Sequence, residues 1–255
     1  SVLSQSLQDL EVIVVDDNSR DDTVAVALSF GDPRVRVSVN DRNLGVAGNW
    51  NRAVELARGR YIKVLCNDDV LSPDCLSQQV ALLESNSQVA LVAGQRDVID
   101  EPGRVLFPAR GLGRLDGVVD SRVAVRAAVR SGTNLFGEPV CVLFRRRLIP
   151  ECGPFSGARP YMIDLDYWCR MLSLGSLYAQ RRVVGAFRVV STSLSVALLR
   201  RQSVEAVGLF QELHRHDPDV VRRRDLALGS ARAVALATAR GVTYRALEPG
   251  GGNTG

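Results

Sequence analysis

Lysine and histidine are almost missing. The chain of 255 residues has a single lysine, Lys63, and only His214 and His216 as histidines. That leaves no zinc constellation at familiar spacing and weakens any Ser–His–Asp or Cys–His nucleophile. The five cysteines (Cys66, Cys75, Cys141, Cys152, Cys169) are odd in number, scattered, and contain no C-x-x-C pair. They exclude a disulfide framework and point to a reduced, cytoplasmic compartment. Aromatic residues make up only 5%, and no recognised binding motif occurs, so nucleic acid is not an expected partner. No apolar run approaches the ~18–20 residues of a membrane span, because the most apolar late stretch, Leu226–Ala239, is broken by Arg232. The start lacks the basic-then-apolar signature of a secretory signal. What remains is a soluble globular chain, 46% hydrophobic and 24% charged, of about one to two domains.

The formal charge of +4 comes from a set of 32 basic residues of which all but one are arginine. Twelve arginines fall between Arg181 and Arg245, against Glu205, Glu212, Asp217, Asp219 and Asp225. A solvated helix face is the plain use of that excess. The alternative is peripheral association with an anionic lipid surface, at the inner face of the plasma membrane.

The first two-thirds alternates strand and helix signals, the pattern of an α/β fold with a mostly parallel sheet flanked by helices. Strands are predicted at Leu10–Val15, Val35–Val39, Tyr61–Leu65, Val89–Ala93, Val140–Phe144 and Val183–Val190. Helices are predicted at Asp21–Phe30, Val46–Arg58, from Pro73 through Leu83, at Asp120–Arg130, and in the loop-to-helix segment Tyr161–Leu174. Residues 94–118, rich in Gly, Pro and Arg, read as an irregular excursion or hairpin. Leu194–Arg240 reads as two helices broken near Asp217-Pro218, with Val204, Val207 and Phe210 on one face and Val221, Leu228, Ala231 and Ala235 on the other. The opening SVLSQSL reads as the end of a helix with no strand before it, so the chain is expected to begin past a first strand. Glu248–Gly255 is expected to be a disordered tail.

Three acidic clusters stand at strand exits or helix starts: Asp16-Asp17, Asp68-Asp69, and Asp164 with Asp166. The carboxyl ends of parallel strands line the ligand crevice of such sheets. Six carboxylates there would repel one another and take up protons unless cations joined them. Oxygen ligands of this kind suit Mg²⁺ or Mn²⁺ carrying a substrate's phosphates. Singly, each pair is better explained by helix capping or turn formation; their joint occurrence in this order and spacing favours the site.

The motifs in sequence order resemble those of inverting family-2 glycosyltransferases with the GT-A fold. SVLSQSLQDLEVIVVDDNSRDDT resembles that family's opening; NLGVAGNWNRAVELARGRYIKVLCNDDVLSPDCL resembles the block ending in a D-x-D-type metal motif. FGEPVCVLFRR and IDLDYWCRML resemble the acceptor-side segments, and FRVVSTSLS the exit to a flexible loop. The resemblance covers roughly residues 1–195. It implies a GT-A domain at 1–193 lacking its first strand, with a helical extension at 194–247.

The resemblance also implies roles. Asp16 and Asp17 would receive the base and ribose of a nucleotide-diphosphate sugar, and Ser19 would shape that turn. Asn43, Gly45 and Asn51 would flank the nucleotide, and Arg188 would contact the diphosphate. Asp68 and Asp69 would bind the metal, and Asp164 would be the general base toward a saccharide or lipid-linked acceptor. Two positions depart from the pattern: Cys66 stands where the first acid of D-x-D is often found, and Ile163 where glutamate often precedes the base. Alternative readings are a non-catalytic nucleotide-sugar binding module, and a nucleotidyltransferase, whose Gly-rich phosphate loop is not seen.

Overall fold

The computed structural model describes residues 1–190 and 197–247, with side chains through Gly241. The expected domain boundary at 193–194, the loop beyond Val190 and the expected tail at 248–255 lie outside the described residues. Val12–Asp16 (β1) and Val35–Val39 (β2) pair in parallel, joined through the helix Thr23–Ser29 (α1). Gly45–Leu56 (α2) packs on β1. Then follow Tyr61–Ile62 (β3), Val70–Leu71 (β4), Cys75–Ser85 (α3), Val89–Ile99 (β5), Val105–Arg110 (β6), Gly117–Val119 (β7) and Ser121–Ser131 (α4). After a 3-10 turn at Pro139–Cys141 come Val142–Arg145 (β8), Ile149–Cys152 (α5), Ile163–Leu172 (α6), Ser176–Arg188 (β9), Gln202–His216 (α7) and Arg223–Leu247 (α8).

The central sheet runs β3-β8-β5-β9-β4, with β6 also on β5 and β7 also on β9. Residues Val89–Gly94 of β5 are all buried, as a strand covered on both faces requires. The α/β architecture is the expected one, but the sheet is mixed rather than mostly parallel. Among the described residues only β1–β2 and β5–β9 are parallel; β8 and β6 run antiparallel to β5, β4 and β7 antiparallel to β9, and β3 antiparallel to β8. A short return forces antiparallel pairing: between β5 and β6 the chain reverses at Asp100–Arg104, where Gly103 adopts a φ of +94° and its N–H donates to Asp100 O at 3.0 Å.

Three local expectations change. The strand expected at Tyr61–Leu65 stops at Ile62, because Lys63 turns inward and its Nζ donates to Gln79 Oε1, Val140 O and Val142 O at 2.9–3.1 Å. The last strand starts at Ser176, not Val183, since the polar run Gln180–Arg182 is absorbed by a register shift against Gly94 and Gln95. Residues 1–7 form no helix; buried Gln5 instead bonds Ser72 O (2.7 Å) and Leu76 N (3.1 Å).

The core is aromatic around α6. Phe155 stacks on Tyr167 with centroids 3.7 Å apart, and Phe144 packs against both Tyr167 and Trp168. The break near Asp217 is as expected, and Phe210 and Val221 of the expected faces are buried, but other members of those faces are not. Val204, Ala231 and Ala235 are exposed, while Ala206, Leu209, Phe210, Asp225, Gly229 and Ala233 face inward. Gly229 makes that possible, because a Cβ there would strike the Val129 carbonyl of α4. Buried Asp225 pins the same contact through Arg130 at 2.8 Å and Arg126 at 3.6 Å.

Candidate active site

The short strand β4 pairs with the end of β9, placing Val70 opposite Ala186 and Leu71 opposite Gly185. This register brings Asp68 and Asp69 against Arg188. Asp69 Oδ1 accepts the Arg188 backbone N–H at 3.0 Å; the guanidinium donates to Asp68 O (2.9 Å), Asp100 O (3.1 Å) and Glu101 O (2.7 Å). Arg188 is thus a strap across three carbonyls. Asp69 Oδ2 is buried and has no hydrogen-bond partner. Burial pushes the Asp69 carboxyl up to about 8; the Arg188 N–H pulls it back, while Asp68 and Glu138 push it further up.

One ligand atom each from Cys66, Asp68 and Asp69 lies within 4.8 Å of the others. Burial, then Asp69, Asp68, Asp164 and Glu138, raise the Cys66 thiol far above its ordinary value, so it stays protonated and is a weak donor to a hard cation. The orphaned oxygen of Asp69 beside the Asp68 carboxylate is the donor set that Mg²⁺ or Mn²⁺ prefers, with remaining positions left for phosphate and water. The residues fit such an ion.

Asp164 sits in the first turn of α6, a helix buried almost all round. Its neighbours Ile163, Leu165, Tyr167 and Trp168 are core residues, and the Trp168 indole donates to Gly137 O at 3.2 Å. Asp166 is half-buried and pairs with Arg170 one turn later at 2.9 Å. The Asp164 carboxylate accepts the Leu165 N–H at 2.7 Å. Burial and then the charge of Glu138 push it up to about 7, against the pull of Leu165 and Asn134. A carboxyl titrating there suits a general base near neutral pH.

Sequence reasoning missed Glu138, Arg96 and Asn134. Glu138 bears on Asp69, Asp164 and Cys66 together, which links the metal-type acids to Asp164 through one neighbourhood. Arg96 of β5 holds it with a two-point ion pair, Nε–Oε2 2.6 Å and Nη2–Oε1 2.8 Å. The one sequence signal is the acid in Gly137-Glu138-Pro139 just ahead of a buried strand.

The other expected site residues form a second network at the exit of β1. Asp16 is buried and its Oδ1 accepts the Ser19 N–H at 2.9 Å, closing a turn in which Asn18 has a φ of +65°. Asp17 receives Asn40 Nδ2 (2.9 Å) and the N–H groups of Leu44 (2.7 Å) and Gly45 (2.9 Å). It therefore caps α2 from outside the helix, where the dipole favours a negative charge. Asn43 donates to Asp17 O at 3.2 Å. Asn51 is spent on Phe155, in a reciprocal pair of 3.0 and 2.7 Å. Among the described residues no hydrogen bond or ion pair joins this network to the Asp68–Asp69–Asp164 group. Two surface hollows of about 420 and 430 Å³ lie apart from both, and no carboxylate lines either.

Residues 1–153 match the family model of Glycosyl transferase family 2. An uncharacterised protein of Mycobacterium tuberculosis is 33% identical over 178 residues, covering 68% of this chain and 56% of its own length. The succinoglycan biosynthesis protein ExoO of Rhizobium meliloti is 40% identical over 118 residues, 45% of this chain and 33% of that protein. The chain spans from about a quarter to just over half of the first curated relatives it matches. Among solved structures, the mannosyltransferase PcManGT from Pyrobaculum calidifontis, in complex with GDP-Man and Mn²⁺, superposes with a TM-score of 0.61 at 18% identity, over 97% of this chain and 70% of that one. S. aureus TarS superposes with a TM-score of 0.59 at 16% identity, over 88% of this chain and 41% of that one. The fold is that of the GT-A glycosyltransferases.

Proposed function

The chain belongs to glycosyltransferase family 2, and from that premise we propose that it moves a sugar from a nucleotide-diphosphate donor to a hydroxyl acceptor with inversion at the anomeric carbon. The observation that carries this reading is the orphaned, buried Asp69 oxygen beside Asp68, in one electrostatic neighbourhood with the elevated carboxyl of Asp164. Asp68 and Asp69 would hold Mg²⁺ or Mn²⁺, which supplies Lewis-acid neutralisation of the departing diphosphate. Arg188 fixes both acids by their backbone and carboxylate contacts, and its guanidinium is the candidate contact to the diphosphate. The Asp16–Asp17–Ser19 turn, with Asn43 and Gly45, would take the nucleoside; its carboxylates are already oriented by in-chain hydrogen bonds. Asn51 supports that side by fixing Phe155.

Asp164 takes the proton of the acceptor hydroxyl as the C–O bond forms, a positioned base worth typically 10²–10⁴ in rate. Direct displacement needs no protein nucleophile, in keeping with the scarcity of histidine and the protonated Cys66. The relatives suggest an acceptor in polysaccharide assembly: ExoO is named for succinoglycan biosynthesis, and an Escherichia coli relative, WfgD, 33% identical over 100 residues, is named as a glucosyltransferase acting on a GlcNAc-diphosphoundecaprenol. A saccharide or lipid-linked saccharide is the acceptor class proposed here. Lipid-linked acceptors would place the enzyme at the cytoplasmic face of a membrane, and among the described residues no helix is long and apolar enough to cross one.

Cys66 favours a second reading, a module that binds a nucleotide sugar without turning it over. Titration calorimetry with UDP-glucose and GDP-mannose, each with and without Mn²⁺, alongside a transfer assay separates the two. Metal-dependent binding with transfer supports the enzyme, binding without transfer the module, and no binding of any nucleotide sugar rejects both.

A further inference from the structure

Two segments frame Asp164. In the loop Thr133–Glu138, Asn134 folds back on Gly137, its Nδ2 donating to Gly137 O at 2.7 Å while Oδ1 accepts the Phe136 and Gly137 N–H groups. That loop presents Asn134 and Glu138 to the Asp164 carboxylate. The second segment, Arg159–Met162, delivers the chain into α6, with Met162 N donating to Arg159 O at 3.0 Å.

Both segments are held by the two C-terminal helices, which lie beyond the residues matched by the family model. Arg240 of α8 donates from Nη1 to the Tyr161 hydroxyl (2.7 Å) and Gln202 Oε1 (2.9 Å), and from Nη2 to Thr133 Oγ1 (2.8 Å). Glu205 of α7, buried, accepts the Tyr161 backbone N–H at 2.7 Å and pairs with Arg201 at 2.9 Å. Arg159 reaches Glu212 at 2.5 Å. Apolar packing of these helices is carried by other residues, Ala206, Leu209, Phe210 and Ala233. The polar contacts converge instead on Thr133, beside Asn134, and on Arg159 and Tyr161 in the segment that leads into α6.

We infer that Arg240 is a positioning residue for sugar transfer: its guanidinium locks Thr133 and Tyr161 in one relation, so the C-terminal helices set where the Asp164 carboxylate stands. A planar fork with several fixed donors holds two segments in one set relation, whereas a lysine's single ammonium on a flexible stem fixes that relation less rigidly. A base displaced by about 1 Å costs on the order of 10²-fold in rate while the donor still binds. The inference rests on Asp164 as the base. Extra packing helices alone would predict a different pattern, in which stability and every binding property fall together.

The test uses the full chain with Arg240→Lys, Tyr161→Phe and Asp164→Asn. The Asp164 carboxyl is titrated by ¹³C NMR with Asp164→Asn to assign its signal, Mn²⁺-dependent binding of UDP-glucose and GDP-mannose is measured by calorimetry, and transfer is split into kcat and donor KM. In both positioning variants the expected result is a folded chain with donor affinity within about twofold of wild type. The Asp164 titration should move toward the ordinary carboxylate range as water gains access, and kcat should fall about 10- to 100-fold with donor KM unchanged. A titration at its wild-type position, wild-type transfer in both variants, or donor affinity falling in step with loss of folded protein overturns the inference. If Asp164→Asn is inactive while both positioning variants behave as wild type, only the positioning role fails; if Asp164→Asn transfers normally, the base assignment fails first.

Discussion

Asp69 and Arg188, side by side at one end of the β4–β9 pairing, meet through a 3.0 Å hydrogen bond from the Arg188 backbone to one carboxylate oxygen, leaving the other oxygen buried and unpartnered. A buried polar atom with no partner costs about 1–3 kcal/mol, so this geometry is sustained at a cost that a bound cation would offset. Asp69→Asn should keep the fold, since an amide oxygen can still accept the Arg188 N–H. It should weaken Mn²⁺-dependent binding of a nucleotide sugar by at least about tenfold, roughly 1.4 kcal/mol. Calorimetry with and without Mn²⁺ reads this directly, and identical affinity in the two proteins would remove Asp69 from the metal site.

Asp164 gives the clearest pH dependence. Its carboxyl is raised from 3.8 to about 7 in the folded chain, first by burial and then by Glu138. A carboxyl raised on folding stabilises fully below its unfolded value, and that stabilisation is lost as pH rises through the folded value. Wild type should therefore lose stability relative to Asp164→Asn between about pH 4 and pH 8, by at most about 4 kcal/mol at ~1.36 kcal/mol per unit. Urea unfolding of both proteins at pH 5 and pH 8 tests the sign: the asparagine variant gains at pH 8. A difference independent of pH contradicts the buried, elevated carboxyl. The same titration should make wild-type transfer fall as pH drops below about 7.

Gly132 ends α4 in the left-handed region, φ +73°, and a Cβ there would come within 2.6 Å of Arg232 Cβ and 2.7 Å of the Ala233 nitrogen on α8. Gly132→Ala meets both the backbone penalty, about 1–2 kcal/mol, and the clash. A lowered midpoint of thermal unfolding is expected, with α8 displaced from α4. An unchanged midpoint would show that the two helices do not approach as described.

The parts of the fold that bury apolar side chains in regular period were legible in the sequence. Val12–Asp16, Val35–Val39, the first half of β5 and the helices α2, α3, α4 and α6 fall within a few residues of their predicted places. What escaped were stretches whose polar side chains have partners far away in sequence. Arg96 looks out of place in a strand until Glu138, 42 residues on, neutralises it. Lys63 reads as an ordinary strand residue, yet it lies past the end of β3 and satisfies the carbonyls of Val140 in the 3-10 turn and Val142 at the start of β8. Val204 shares a helical period with Phe210, and Ala235 with Val221, yet only the second of each is buried; the buried side of each helix also carries a polar anchor, Glu205 and Asp225. At the site, acids following strands could be singled out because turns at strand exits recur at fixed places. Glu138 could not, since its meaning comes only from the strand β5 folding beside it.

The central claim is that Asp164 accepts the acceptor's proton while Asp68 and Asp69 manage the donor's diphosphate. Transfer by wild type and Asp164→Asn, measured with one nucleotide sugar, Mn²⁺ and a saccharide acceptor, tests it most directly when donor affinity is followed in parallel. The account predicts donor affinity within about twofold and transfer reduced by about 10²–10⁴-fold. Transfer near the wild-type rate with the asparagine in place would contradict it.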